Sequence, residues 1–246
     1  MGDRLSLYAQ ADAFTEGEGD RWFERNRQAL EDLEPSQDEI LNLIAMHGIE
    51  PRNALEIGAA NGYRLNALAS RYGCAGSGVD ISAAAITDGR SQFPNLRLVT
   101  GRAHALPFAE QFDVVIVNFV LHWVDRGLIL RVVSEVDRVL SDGGFLLIGD
   151  FFPDRPVRRP YHHLPESGVY TYKQDYAAAF LASGCYETIE RVVGMHSTAT
   201  PPEKGGAANR TATWLLRKRL QGLYGDEEAA VPALEDGAGS RPAPTP

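Results

Sequence analysis

Leu55-Glu56-Ile57-Gly58-Ala59-Ala60-Asn61-Gly62 is the stretch whose reading decides the fold. A short apolar strand, 53–57, runs into a glycine-bearing turn, and a helical pattern, 63–72, begins directly after it. Glycines at such a turn let the backbone approach a ligand closely, and the first turn of a helix offers N–H groups that have no internal partner. About twenty residues on, a second strand-like segment, 77–81, ends with Asp80. In a parallel α/β arrangement the two strands are neighbours, so this carboxylate stands at the same crevice, where it can accept hydrogen bonds from both hydroxyls of a ribose. The plainer alternative is a tight turn and a helix-capping aspartate.

Outward from this stretch, apolar runs alternate with helical periodicity. Segments 96–100 and 112–119 read as strands and 83–92 as a helix; Val114-Val115-Ile116-Val117 is a continuous apolar run of the kind buried on both faces of a parallel sheet. Leu128, Val132, Val136 and Val139 share a helical face that Asp125 is placed to cap, Gly143 and Gly144 close that helix, and 145–148 is the next strand. Upstream, 1–20 shows little periodicity and 20–33 reads as a helix. Ser36 and Glu39 form a capping box ahead of Ile40, Leu43 and Ile44, and Gly48 and Pro51 stop that helix. Downstream, 151–172 holds prolines, arginines, histidines and aromatics without periodicity, which marks a functional loop. A helix over 173–183 and strands over 186–193 and 211–217 complete the order. Strands alternating with helices predict an α/β fold with a parallel sheet covered on both faces.

Composition is that of a soluble globular protein: 246 residues, 44% hydrophobic and 23% charged, enough for one core. No apolar run is long enough to span a membrane and no export signal precedes the fold, so the cytoplasm is the expected location. Cys74 and Cys185 lack a metal-binding spacing, and no metal site is expected. A net charge of −9 argues against a broad nucleic-acid footprint. Arg217-Lys218-Arg219 reads as solvated surface at a strand end, whereas Arg155, Arg158 and Arg159 fall in the loop after the fifth strand, where they either meet solvent or bind an anionic substrate group. The last residues, from about Asp226, are mostly Ala, Gly, Pro and Glu, too poor in apolar surface to order themselves.

A dinucleotide site calls for G-x-G-x-x-G, whose second glycine admits the pyrophosphate. Ala60 occupies that position, which leaves a nicotinamide-dependent oxidoreductase as the weaker alternative. The stretch 56–62 instead resembles the first motif of class I S-adenosylmethionine-dependent methyltransferases, and Gly78-Val-Asp-Ile-Ser82 their second. Gly101-Arg-Ala-His-Ala-Leu-Pro-Phe108, Phe112-Asp-Val-Val-Ile-Val-Asn118 with Leu121-His-Trp-Val-Asp125, and Arg138-Val-Leu-Ser-Asp-Gly-Gly144 resemble, in order, the later motifs.

The resemblance covers 50–150 firmly and extends loosely to about 220. It implies a Rossmann-like, seven-stranded, mostly parallel sheet with a reversed last strand. It divides the chain into a helical cap (1–50), a core (51–221) with a substrate lid (151–172) and a tail (222–246). S-adenosylmethionine is the implied cofactor. Glu56 would orient the turn near the methionine end; Gly58, Ala60 and Gly62 would face the cofactor through backbone. Asp80 would hold the ribose, Ile81 would pack on the adenine, and Asn118 and Phe119 would border the methionine. The third motif usually carries Asp where Arg102 stands; arginine is donor-only, so Ala103 backbone or a stacked Arg102 takes the adenine instead. Trp22, on an N-terminal helix, either touches cofactor or anchors that helix.

Methyl transfer is an in-line displacement, largely a matter of positioning, and needs a base only where the nucleophile starts protonated. Candidate bases are His122, after the fourth strand, and Tyr161-His162-His163 in the insertion. The alternative for His122 is a packed residue bridging to Asp125, and one of the histidine pair is expected to face solvent. Tyr170, Tyr172 and Tyr176 line the pocket or merely pack the lid. With no N-P-P-Y-type motif after the fourth strand, the expected substrate is a small molecule, a natural-product or sugar intermediate, methylated at O or N, with no nucleic acid or membrane partner. A non-catalytic S-adenosylmethionine-binding scaffold is the alternative outside enzymes.

Overall fold

The computed structural model describes residues 8–196, 206–221 and 223–224. Its strands are β1 (Asn53–Ile57), β2 (Ala75–Asp80), β3 (Arg97–Thr100), β4 (Phe112–Asn118), β5 (Leu140–Phe151), β6 (Val157–Pro160), β7 (Tyr170–Lys173), β8 (Tyr186–Met195) and β9 (Arg210–Lys218). Seven form one sheet in the order β3-β2-β1-β4-β5-β9-β8, while β6 and β7 make a separate antiparallel hairpin. All pairings from β3 to β5 are parallel, and β9 runs against both β5 and β8. The last strand is therefore the reversed one. Strand order turns back between β1 and β4, and the crevice outside the carboxyl ends of strands at such a switch point is where open α/β sheets bind ligands.

Alternate residues of each strand feed two cores. Helices α3 (Glu39–Met46), α4 (Tyr63–Tyr72) and α5 (Ala83–Gln92) cover one face with Ile40, Leu43, Ile44, Leu65, Leu68 and Ile86, over Ala54, Val114, Ile116 and Leu147. Helices α6 (Ile129–Val139) and α7 (Ala178–Leu181) cover the other with Val132, Val136, Val139 and Phe180, over Leu55, Ile57, Val115 and Val117. Val114 to Val117 are at most 1% exposed, and each such side chain stabilises the sheet by about 1.5–3 kcal/mol.

Several sequence expectations need correction. Residues 9–18, expected to lack regular structure, are helical: α1 (Ala9–Ala13) and a π-type turn, Phe14–Glu18, broken at Gly17, lead into α2 (Gly19–Glu31). Asp38, not Ser36, caps α3, accepting from the Leu41 N–H at 3.1 Å. Asp125 does not cap α6; its two oxygens accept from the N–H groups of Gln10 and Ala11, which fastens α1 to the core. The insertion is a hairpin rather than an irregular loop, and because Lys173 completes β7, the helix that follows shrinks to α7. Gly143 and Gly144 lie inside β5, which starts at Leu140, directly after α6. The tail expected to be unstructured lies almost wholly outside the described residues.

Candidate active site at the carboxyl edge of the sheet

The turn after β1 is left-handed at Gly58 (φ 76°), Ala60 (φ 48°) and Gly62 (φ 84°). A side chain at Gly58 would overlap Val120 Cγ2, so the close approach here is real. For Ala60 this conformation costs about 1–2 kcal/mol, and Asp80 holds it in place: Oδ2 accepts from the Ala60 N–H and Oδ1 from the Ser82 N–H, both at 2.8 Å. Burial raises the Asp80 pKa, against the pull of these N–H groups. The carboxylate is half-buried at the crevice and retains lone pairs for a diol.

Glu56 faces α4. It forms a buried ion pair with Arg64, which also pairs with Asp38 at 2.9 Å; Tyr63 donates to the same Asp38 oxygen at 3.1 Å. Even so, Glu56 Oε2 has no hydrogen-bond partner among the described residues. Burial pushes the carboxyl up to about 7, against the attraction of the Arg64 guanidinium. An unpaired buried carboxylate oxygen at a ligand crevice fits a cationic ligand group. With the tight turn and Asp80, this donor and acceptor set suits a ligand carrying an amino group and a ribose.

On the adenine side the N-terminal segment is laid across the end of β2. Ile81 packs in the cluster of Phe14, Tyr161 and Val169, and it lies so close to Gly19 that a side chain there would press on it. Arg102 donates to Thr15 Oγ1 at 3.1 Å, and Asp20 accepts from Ser82 Oγ at 2.7 Å. Ala103 is partly buried against the core. Trp22 stands edge-on to Trp123 at 6.3 Å.

At the ends of β4 and β5 a second constellation assembles. Phe119 is a non-glycine residue at φ 54°, its N–H bonded to the Gly149 carbonyl at 2.7 Å; strain of this kind persists only where the surroundings enforce it. Asn118 lays its amide oxygen over Gly149, where no side chain would fit. His122 is buried and pairs with Asp150 rather than Asp125: Nδ1 to Oδ1 is 2.9 Å, and the His122 backbone N–H donates to Oδ2 at 3.2 Å. An ionised carboxylate only accepts, so Nδ1 carries the proton and Nε2 is the basic nitrogen. Phe119, Trp123 and Phe151 surround the ring.

The insertion contributes differently from expectation. Tyr161 is buried, donates to Glu18 Oε1 at 2.9 Å and accepts from Arg25 at 3.2 Å, which links the hairpin to the N-terminal helices; burial and the carboxylate push its hydroxyl pKa well up. His162 and His163 are both exposed, ring against ring at 3.9 Å. Both rings also stand edge-on to Tyr161, at 5.3 and 5.4 Å. Tyr176 donates to the Tyr172 carbonyl and accepts from Arg126, so this tyrosine pair packs the hairpin base. Residues not anticipated are Asp150, at the end of the β5 apolar run, and Lys173 and His196, which lie against Phe151.

This strand order, with its glycine turn and acid at the switch point, defines the class I methyltransferase fold. The comparisons agree: residues 55–148 match the family described as methyltransferase domain. The chain is 30% identical over 122 residues to a malonyl-[acyl-carrier protein] O-methyltransferase of Halorhodospira halophila, covering 48% of this chain and 41% of that protein. It is 29% identical over 119 residues to malonyl-[acyl-carrier protein] O-methyltransferase 1 of Coxiella burnetii, covering 48% and 40%. The match thus spans about two fifths of the length of these curated relatives. The crystal structure of Burkholderia thailandensis 1,6-didemethyltoxoflavin-N1-methyltransferase, with 1,6-didemethyltoxoflavin and S-adenosylhomocysteine bound, shares the fold at TM-score 0.66 and 14% identity, over 89% of this chain and 93% of that one. No helix among the described residues is long and apolar enough to cross a membrane.

Proposed function

We propose that this chain is an S-adenosylmethionine-dependent methyltransferase that acts on a small molecule, at oxygen or nitrogen, with His122 as general base. The observation that carries the base assignment is the buried His122–Asp150 pair at the carboxyl edge of the sheet. The cofactor supplies an electrophilic methyl group when bound. Glu56 Oε2 would accept from its amino group, the 58–62 backbone would lie along it, and Asp80 would hold its ribose. Asn118 and the strained Phe119 border the space between that site and His122. Asp150 keeps the His122 Nε2 lone pair available to take the proton of a hydroxyl or ammonium nucleophile, and the rings of Phe119, Trp123 and Phe151 exclude water there.

Calorimetry with S-adenosylhomocysteine and with NAD tests the cofactor half. S-adenosylhomocysteine is expected to bind and NAD not to. Asp80→Asn is expected to weaken binding by roughly 10–100-fold, as loss of charged hydrogen bonds would. Tight NAD binding without S-adenosylhomocysteine binding overturns the reading. Release of S-adenosylhomocysteine across a panel of hydroxyl and amine acceptors tests the catalytic half.

A further inference from the structure

Around Phe151 basic groups exceed acidic ones, although the whole chain carries a net charge of −9. Asp150 is already the partner of His122. Lys173 reaches in from the end of the hairpin and is only 5% exposed. Its Nζ donates to Asn209 Oδ1 at 2.9 Å and to the Ala208 carbonyl at 3.1 Å, and lies 3.8 Å from the centre of the Phe151 ring. Both hydrogen-bond partners are neutral, and Asp150 attracts the ammonium only from a distance. Burial, helped by Arg159, pushes the lysine pKa down to about 8, so at neutral pH the group still carries its charge. The His196 ring sits 5.0 Å from both Phe119 and Phe151, and burial together with the nearby Lys173 ammonium lowers its pKa. Among the described residues two of the three N–H donors of Lys173 are hydrogen-bonded and the ammonium also sits over the Phe151 ring, and none of these partners carries a negative charge. A buried cation held by neutral acceptors is costly unless an anion joins it.

We propose that Lys173, with Arg159 and His196 beside it, is the seat for an oxyanion of the methyl acceptor, a carboxylate or a phosphate. This rests on reading the crevice as the acceptor pocket. Phe151 touches both Lys173 and His122, so an acceptor anchored by its charged group at Lys173 presents its remaining length to the imidazole. The hairpin then sets substrate choice through charge, while the sheet edge supplies the base.

The test is a titration of the full chain with malonate and, separately, with inorganic phosphate, at constant ionic strength, with and without saturating S-adenosylhomocysteine. A saturable site is expected for at least one anion. The preferred probe tells whether the seat is shaped for carboxylate or phosphate. Lys173→Met is expected to weaken binding at least tenfold, Lys173→Arg by no more than about threefold, and neither to change S-adenosylhomocysteine affinity. Arg159 is exposed, so Arg159→Glu should fold normally and weaken the anion several-fold; it carries the test if Lys173→Met is unstable. Absence of a saturable anion site in the wild type overturns the proposal. So does undiminished anion binding in Lys173→Met, or in Arg159→Glu where the lysine variant does not fold. Failure of S-adenosylhomocysteine binding alone would strike the methyltransferase reading and leave the anion result standing.

Discussion

His122 Nδ1 and Asp150 Oδ1 are 28 residues apart in the chain and 2.9 Å apart in space. The contact ties the short turn after β4 to the end of β5, and it fixes the orientation of the imidazole proposed as the base. The Asp150 carboxylate also accepts from the Phe151 N–H at 2.7 Å, so it is fixed from two sides.

His122→Asn and Asp150→Asn are therefore expected to lower kcat by about 10²–10⁴-fold for a hydroxyl or ammonium acceptor, with S-adenosylhomocysteine affinity within about twofold of wild type. Steady-state kinetics beside calorimetry checks this. Equal turnover in both variants would mean that positioning alone drives transfer.

In the proposed cofactor site, Glu56 is a group whose charge changes near neutral pH. With its carboxyl raised to about 7, the folded chain holds a proton there that the unfolded chain has lost, so this group's contribution to stability declines as pH rises from about 4.5 to 7. Binding of a cationic amino group needs the ionised form. S-adenosylhomocysteine affinity is therefore expected to rise roughly fivefold from pH 6 to 7 and less than twofold from pH 7 to 8. Glu56→Gln should bind weakly with a flat profile over the same range.

How much of this was legible in the sequence depends on distance along the chain. The bounds of β1, α4 and α5 were readable because local chemistry sets them: Gly62 and Gly73 adopt left-handed conformations at the two ends of α4, and Ser82 caps α5 at the Ala85 N–H. Gly58 and Asp80 were readable for the same reason, as one strand-turn-helix unit and its neighbour carry both. Asp150 escaped because the apolar pattern of β5 stops at Ile148 while the ladder to β9 continues through Phe151. Glu18 and Lys173 escaped, as did the contact that Tyr161 makes, because the partners come from remote segments, and periodicity carries no signal for a contact between residues 143 apart. Arg102 was recognised as unusual, yet its partner Thr15 lies in a segment that gave no periodic signal.

The hold of the insertion on the N-terminal helices should be measurable as stability. Glu18 is 1% exposed, and Arg25 (2.5 Å), Arg21 (3.1 Å) and Tyr161 (2.9 Å) surround its carboxylate. Burial raises its pKa, but the hydrogen bonds from Arg25, Tyr161 and Arg21 outweigh that and leave it below the ordinary 4.5. Its stabilisation is thus complete above about 4.5 and is lost as pH falls through the lowered value. Tyr161→Phe is expected to cost about 1.5–3 kcal/mol at pH 7. Glu18→Gln should lose more, and should flatten the acid limb of stability against pH. Urea unfolding from pH 3 to 7 checks both; an unchanged acid limb in Glu18→Gln would assign that limb to other carboxylates.

The glycine turn offers a test that separates backbone strain from collision. Gly58 is at φ 76°, and a methyl group there would overlap Val120 Cγ2, a branched side chain with little room to swing aside. Gly58→Ala therefore meets two penalties. The left-handed conformation costs about 1–2 kcal/mol, and overpacking against Val120 adds about 1–3 kcal/mol. Val120→Ala in the same chain removes the overlapping methyl groups and leaves the conformational cost. The double variant is expected to be more stable than Gly58→Ala alone, by more than the sum of the single effects predicts, because the two side chains share one space. Cofactor affinity should follow stability only in part, since the added methyl group faces the turn where the backbone must approach its ligand. A double-mutant cycle in urea, with S-adenosylhomocysteine titrations of all four proteins, measures both; additive effects would show that Val120 yields freely and that strain at Gly58 alone sets the cost.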